Sequence, residues 1–139
     1  MTWTAALGSA RTPAGKSKVM TKLNPSLPIS VQTIHIDLVP VTAVAGDLDI
    51  ATDDVVWDEV RAQLETKPGV LVLDLSEVAF MGSAGINVLV QSQMEATRHG
   101  TRLVVVAPRE SFVDRVLTIA GMKQVLDLHT DVRSALVAG

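Results

Sequence analysis

The chain contains no cysteine, which excludes disulfides, thiolate metal sites and a cysteine nucleophile at once. Aromatic residues make up only 3% of it, with no tyrosine at all, although 47% is hydrophobic. A core must therefore be assembled from Val, Leu, Ile, Ala and Met, a composition that favours alternating strands and helices over an aromatic-rich sandwich. No apolar run approaches the roughly 20 residues that span a bilayer, and the N-terminus lacks the compact apolar stretch of a signal peptide. The expectation is a soluble, cytoplasmic protein with no membrane association.

Acidic residues are missing from the first part of the chain. Ahead of Asp37 the only charged side chains are Arg11, Lys16, Lys18 and Lys22, which leaves 8 basic against 15 acidic residues, about −7, for the rest. Such an acidic body is a poor nucleic-acid surface, because phosphate contacts need Lys and Arg in excess. Residues 1–28, rich in Thr, Ser, Ala, Gly and Pro without periodicity, read as a flexible tail. Met20, just ahead of the foldable part, offers an alternative start. The AGKS stretch at 14–17 resembles the end of a phosphate loop, but Ala10 stands where the first glycine is required, and no strand and helix flank it.

At 139 residues the chain has the length of one domain. From residue 29 onward the pattern becomes regular. Alternation over 31–36 and a β-branched run over 41–45 predict two strands, with a turn at Gly46. A helix should start at Thr52, whose hydroxyl would cap it while Asp53 and Asp54 favour the positive end of its dipole. Val56, Val60 and Leu64 supply its buried stripe, Trp57 is compatible with core or rim, and Pro68–Gly69 end it. Residues 70–73 form a short, wholly apolar run, the mark of a central strand. Ile86, Leu89, Val90, Met94 and Thr97 mark a second helix stopped by Gly100. A strand over 103–107, a helix on Phe112, Val113, Val116, Leu117 and Ala120, a short strand over 125–128 and a last helix capped by Thr130 complete the chain. Alternation of this kind implies an α/β fold, a mostly parallel sheet of four to five strands with about four helices. In such sheets function gathers at the carboxyl ends of the strands, which here means the segment 74–85.

That segment reads DLSEVAFMGSAG, followed by Ile86. Ser83 stands where loop becomes helix, as the cap or within one residue of it. Gly82 and Gly85 leave its surroundings uncrowded. Free amides and the dipole at a helix start accept an anion, so phosphate on Ser83 would be compatible with the fold while adding charge to the surface. From position alone, a serine at a helix start is most often a plain cap. Phe80 and Ile86 are expected in the core, and Met81 as an exposed contact.

DLSEVAFMGSAGI resembles the signature of the STAS domain, found in anti-sigma factor antagonists and in the cytoplasmic part of sulfate-type anion transporters. GDLDIAT at 46–52 resembles the family's segment ahead of the first helix, and LTIAGMKQVLDLHTDVRSAL its closing helix, strand and helix. The resemblance covers about 31–136 and implies a STAS domain over 29–139 as a single domain. It further implies that Ser83 is phosphorylated by a partner that is both an ATP-binding serine kinase and an anti-sigma factor. The unphosphorylated form would bind this partner and so regulate sigma-dependent transcription, and a phosphatase would restore it. Asp47, Asp49, Thr52, Met81, Gly82, Ser83, Ala84 and Gly85 form the implied partner surface. No cofactor and no metal is implied, the protein is not expected to be an enzyme, and a monomer is expected. One departure stands out: the family often has Asp where this chain has Gly82. The alternative is a STAS scaffold or interaction module of a signalling or transport complex without a phosphorylation switch.

Two rival readings use the same segment. A receiver domain would use Asp74 as phosphoacceptor, but Asp47 and Asp49 are poorly placed for its acidic pair and Lys123 for its lysine. A serine hydrolase would need a histidine beside Ser83, and His35, His99 and His129 are not placed there by sequence; the GxSxG elbow is absent as well.

Overall fold

A computed structural model describes residues 8–9, 11–12, 14–16 and 29–138. Gly8–Ser9, Arg11–Thr12 and Ala14–Lys16 form a separate small sheet. The remainder of the expected tail, with Met20 and Ser17, lies outside the described residues.

The domain is a five-stranded sheet in sequential order: β1 (Ile29–Ile36), β2 (Val39–Leu48), β3 (Val70–Met81), β4 (Arg102–Val106) and β5 (Leu128–His129). β1 and β2 are an antiparallel hairpin, and every later pairing is parallel. Parallel neighbours need a crossover, and α1 (Asp53–Glu65), α2 (Ser83–His99) and α3 (Phe112–Ile119) supply the three. They share one face of the sheet, where Val56, Val60 and Leu64 of α1, Leu89 of α2 and Leu117 of α3 meet Leu71, Leu73 and Leu75 of β3. The opposite face is covered by α4 (Val132–Ala138), whose Ala135 packs among Val41, Val72, Val104 and Val106. β3, central and buried on both faces, is the hydrophobic spine expected of a parallel sheet.

Several elements differ from the sequence expectation. Gly46 is not a turn. With φ of 109° it lies inside β2, beside a register shift. β3 does not stop at Leu73 but continues to Met81 through two irregularities, in which Ala43 and Ala45 of β2 face Asp74 and Glu77, and Gly46 and Asp47 face Val78 and Phe80. Each step places one extra residue in β3, which is a β-bulge. Asp74 braces the first: its carboxylate accepts from the Ser76 amide at 3.0 Å and from the Ser76 hydroxyl.

On α2 the buried face runs through Gly85, Val88, Leu89, Ser92 and Ala96, leaving Met94 56% exposed. Small residues, silent in a hydrophobicity count, let α2 approach its neighbours. Ser92 is fully buried with an unpartnered hydroxyl. Near the end, a 3-10 turn at Met122–Gln124 precedes the expected strand, which begins only at Leu128, and Asp131 rather than Thr130 caps α4, accepting from the Ser134 amide at 2.7 Å. That hydrogen bond holds the Asp131 carboxyl below its ordinary pKa.

A polar link fixes α1 over the hairpin. Glu59 accepts from Gln63 Nε2 at 3.0 Å and from the Thr33 hydroxyl at 2.6 Å. The Thr33 proton being so used, the Thr42 hydroxyl donates to Thr33 at 2.7 Å. Paired this way, a largely buried carboxylate avoids the penalty of an isolated one.

Candidate functional site

β2 and β3 run in parallel and end side by side, with Leu48 opposite Met81. The Gly82 amide donates to the Leu48 carbonyl at 3.0 Å, so the chain enters α2 from a fixed point. The two loops that leave these strands therefore face each other across one short edge of the sheet.

The first loop is locked by Thr52. Its hydroxyl donates to the Asp47 carbonyl at 2.7 Å and accepts from the Asp49 amide at 3.0 Å. Thr52 occupies the N-cap position of α1, yet its side chain caps no helix amide; the expected cap is instead a clasp closing the loop on itself. The carboxylate of Asp49 accepts from the Ala51 amide at 2.9 Å, and its carbonyl takes the Thr52 and Asp53 amides. Asp47 and Asp49 remain partly exposed, whereas Thr52 is buried.

In the second loop Gly82 is the N-cap of α2, with extended backbone (φ −93°, ψ −173°), and Ser83 is the first helical residue. Gly82 needs no special conformation. A Cβ there would meet Phe80 at 3.5 Å and the Asp49 Cβ at 4.0 Å, ordinary contacts. What position 82 lacks is thus a side chain whose Cβ the backbone would accept. Gly85 is glycine for a different reason than the sequence suggested. Its position is not uncrowded: a Cβ would lie 2.7 Å from Met81 Cγ and 3.1 Å from the Leu48 carbonyl oxygen.

Ser83 is exposed, and its hydroxyl has no hydrogen-bond partner among the described residues. The Gly82 carbonyl accepts from Gly85 and Ile86, while the amides of Ser83 and Ala84 lack the intrahelical acceptor that any first turn lacks. No acidic residue occupies that turn, so the dipole's positive end is uncompensated within its own helix.

Around the serine, the expected roles of Phe80 and Met81 are exchanged. Met81, expected as a contact, is buried at 3% exposure, and Phe80, expected in the core, is 44% exposed. The two bulges cancel in phase, so Met81 faces inward with Leu71, Leu73 and Leu75, and Phe80 faces out. Phe80 meets Phe112 at the start of α3, ring centroids 5.6 Å apart, so the chain's two phenylalanines form an aromatic ledge beside Gly82. Ile50, 84% exposed, stands on the facing loop. Ile86 is half-buried against the core. Of the residues proposed from sequence, Asp47, Asp49, Gly82, Ser83 and Ala84 are accessible, whereas Thr52, Met81 and Gly85 are buried and position the others. Phe112, read from its spacing as part of the stripe of α3, is half-buried against the core and also offers its ring to Phe80.

The rival chemistries find no support. Asp74 lies mid-strand, seven residues short of the end of β3. His99 closes α2 at the far end from Ser83, bonded to the Glu95 carbonyl at 2.9 Å, and His129 pairs with Asp127 at 3.2 Å. Among the described residues no cluster of His, Asp and Glu could hold a metal, and no helix is long and apolar enough to cross a membrane.

A family model described as "Mlab, STAS domain" matches residues 32–130. Two anti-sigma-F factor antagonists of Mycobacterium tuberculosis are similar in sequence. RsfA is 28% identical over 128 residues, 91% of this chain and 98% of that protein. RsfB is 29% identical over 98 residues, 70% of this chain and 79% of that protein. Among solved structures, an anti-sigma factor antagonist from Mycobacterium paratuberculosis superposes with a TM-score of 0.73 at 27% identity, covering 83% of this chain and 96% of that one. The unphosphorylated form of the anti-sigma factor antagonist SpoIIAA, at 14% identity and a TM-score of 0.61 over 76% of this chain and 93% of that one, shares the fold.

Proposed function

The chain belongs to the STAS domain family, and from that premise we propose that it is an anti-sigma factor antagonist whose partner-binding surface is the edge holding Ser83, and that phosphorylation of Ser83 releases the partner. The observation that carries the reading is the unused hydroxyl of Ser83, exposed on the first turn of α2 beside the Phe80–Phe112 ledge. A serine serving only as a cap would spend its oxygen on a helix amide; this one precedes no such bond.

A kinase would transfer the γ-phosphoryl of ATP to Ser83 Oγ, the hydroxyl proton passing to a base on the kinase and ADP leaving. The product carries close to two negative charges. Free amides and the helix dipole receive them without cost to the domain. A partner that must dehydrate Phe80 and Phe112 meets instead a hydrated dianion next to Asp47 and Asp49, and like-charge repulsion adds to the desolvation cost. The partner fitting this scheme is an ATP-binding anti-sigma factor with serine kinase activity, and a phosphatase resets the cycle.

Gly82 favours a second reading. Without a carboxylate at the N-cap, nothing in α2 itself orients the hydroxyl, and the same surface would serve a constitutive STAS interaction module. Capture from native lysate with wild-type, Ser83→Ala and Ser83→Glu baits separates the two. Retention of an ATP-binding anti-sigma protein by the first two and its loss with Glu supports the switch. Equal retention of one partner by all three refutes it in favour of the constitutive module.

A further inference from the structure

The two edges of the sheet are unlike. β5 is two residues long, whereas β1 runs for eight and pairs with β2 through all eight without a register shift. Among the described residues no strand lies on the outer side of β1, and the small sheet within residues 8–16 does not join it. Sheet edges are ordinarily blunted by proline, by charge, by a bulge or by brevity. β1, which reads ISVQTIHI, has none of these protections.

The hairpin fixes which backbone groups face outward. Asp37 and Leu38 form a two-residue turn, both at positive φ (51° and 68°), and such a loop is closed by a hydrogen-bonded pair, here Ile36 with Val39. Alternation then gives the amides and carbonyls of Ile34, Gln32 and Ser30 to β2 and turns those of His35, Thr33, Val31 and Ile29 away from it. Pro40 fits this phase: having no N–H to give, it stands opposite His35, in a pair that exchanges no hydrogen bond. Charge adds a direction. Asp37, the first acidic residue of the chain, follows one end of β1, and every charged residue ahead of the other end is cationic, the last being Lys22. Antiparallel pairing of two copies brings these unlike ends together, whereas parallel pairing would set like beside like.

We propose that β1 is a self-association edge, pairing antiparallel with β1 of a second copy about a two-fold axis through Gln32. Val31 then lies opposite Thr33 of the partner subunit, and Ile29 opposite His35 of the partner subunit. These outward pairs exchange roughly eight main-chain hydrogen bonds, and opposed residues share a face, so the helix layers of both copies lie on the same side. The contact is isologous, each copy offering the same uncharged strand. The expectation of a monomer weighed exposed apolar side chains; this contact is made by backbone. So short an edge makes a small interface, of the class below about 1,200 Å² that dissociates readily. Ile29 pairs with Gly46, near the ends of β2 and β3, so β1 starts at the edge that carries Ser83 and runs away from it. The two-fold axis therefore sends the two Ser83 edges to opposite ends of the joint sheet, each free for its own partner, and the inference stands apart from the reading of Ser83.

The test follows the full chain by sedimentation velocity and amide hydrogen exchange from about 1 to about 300 µM. The expected result is a monomer–dimer equilibrium in which the Val31, Thr33 and His35 amides gain protection with concentration, while those of Gln32 and Ile34, already bonded to β2, do not change. Gln32→Lys/Ile34→Lys sets like charges about the two-fold axis, as does Gln32→Glu/Ile34→Glu; each should weaken dimerisation at least about fivefold, and an equimolar mixture of the two should restore it. Both side chains are exposed, and Gln32 faces only exposed Ala43 across the hairpin, so the fold should tolerate either change. A chain that stays monomeric throughout overturns the proposal. So does protection of the outward amides at the lowest concentration, which would show the edge covered by residues of the same chain. A dimer that neither double variant weakens also overturns it, by placing the contact elsewhere.

Discussion

Replacing Gly85 with alanine tests how the serine edge is built. The added methyl would sit 2.7 Å from Met81 Cγ, 3.0 Å from Leu48 Cγ and 3.1 Å from the Leu48 carbonyl oxygen. Met81 can turn away, but the carbonyl cannot easily follow, because it accepts the Gly82 amide that starts α2. Overpacking of this kind costs about 1–3 kcal/mol. Alanine returns at most about 1 kcal/mol of helix propensity, and less in a first turn. The expected net loss is about 1–2 kcal/mol, which lowers a urea midpoint by roughly 0.5–1 M at the slopes usual for small domains. Gly82→Ser is the matched comparison three residues earlier. Its Cβ meets nothing closer than 3.5 Å, and serine is a better N-cap than glycine by a few tenths of a kcal/mol, so this variant should be as stable as wild type or slightly more so. Equal or higher stability of Gly85→Ala, with an unchanged slope, would refute the close approach of α2 to the ends of β2 and β3.

Thr52→Val keeps the shape of a fully buried side chain but strands the Asp47 carbonyl and the Asp49 amide; a loss of about 1–3 kcal/mol in urea unfolding is expected, with faster hydrogen exchange at the Asp49 amide and recovery in Thr52→Ser. Asp114 carries the pH dependence: the Glu110 amide first, and Lys123 next, hold its carboxyl below the ordinary value. A depressed folded-state pKa gives stability that is present above the unfolded value and lost as pH falls through the folded one, so Asp114→Asn should flatten the decline of stability below about pH 4. An unchanged acid slope would count against that contact.

The sequence was most legible where burial is two-sided or stripes are regular. Leu71, Leu73, Val104 and Val105 read directly as sheet interior, and Val56, Val60 and Leu64 as one helix face, all buried as expected. Gly100 and Gly121 stop their segments in left-handed backbone at φ 72°. What was not legible depends on partners distant in sequence. Periodicity cannot reveal that Ala43 and Ala45 of β2 subtend an extra residue of β3, so the true length of that strand was hidden, and with it the alternation that turns Phe80 outward. Gly82 and Gly85 look alike on paper; only the nearness of Leu48 separates a free cap from a steric requirement. Thr52 carried the right residue type for its position and a different hydrogen bond.

The two bulges of β3 have a meaning for length variation in this chain. Inward-facing positions run Leu71, Leu73, Leu75, then Val78, then Met81, so each bulge works as a one-residue phase shift. A single-codon deletion between Ser76 and Phe80 could be absorbed by straightening one bulge, leaving the leucines upstream in place. The segment beyond it would keep its pairing, Asp47 opposite Phe80 and Leu48 opposite Met81, so the phenylalanine would stay wet and the methionine dry. Each bulge is thus a reserve of one residue, and the end of β3 can survive the loss of a codon upstream without any other change.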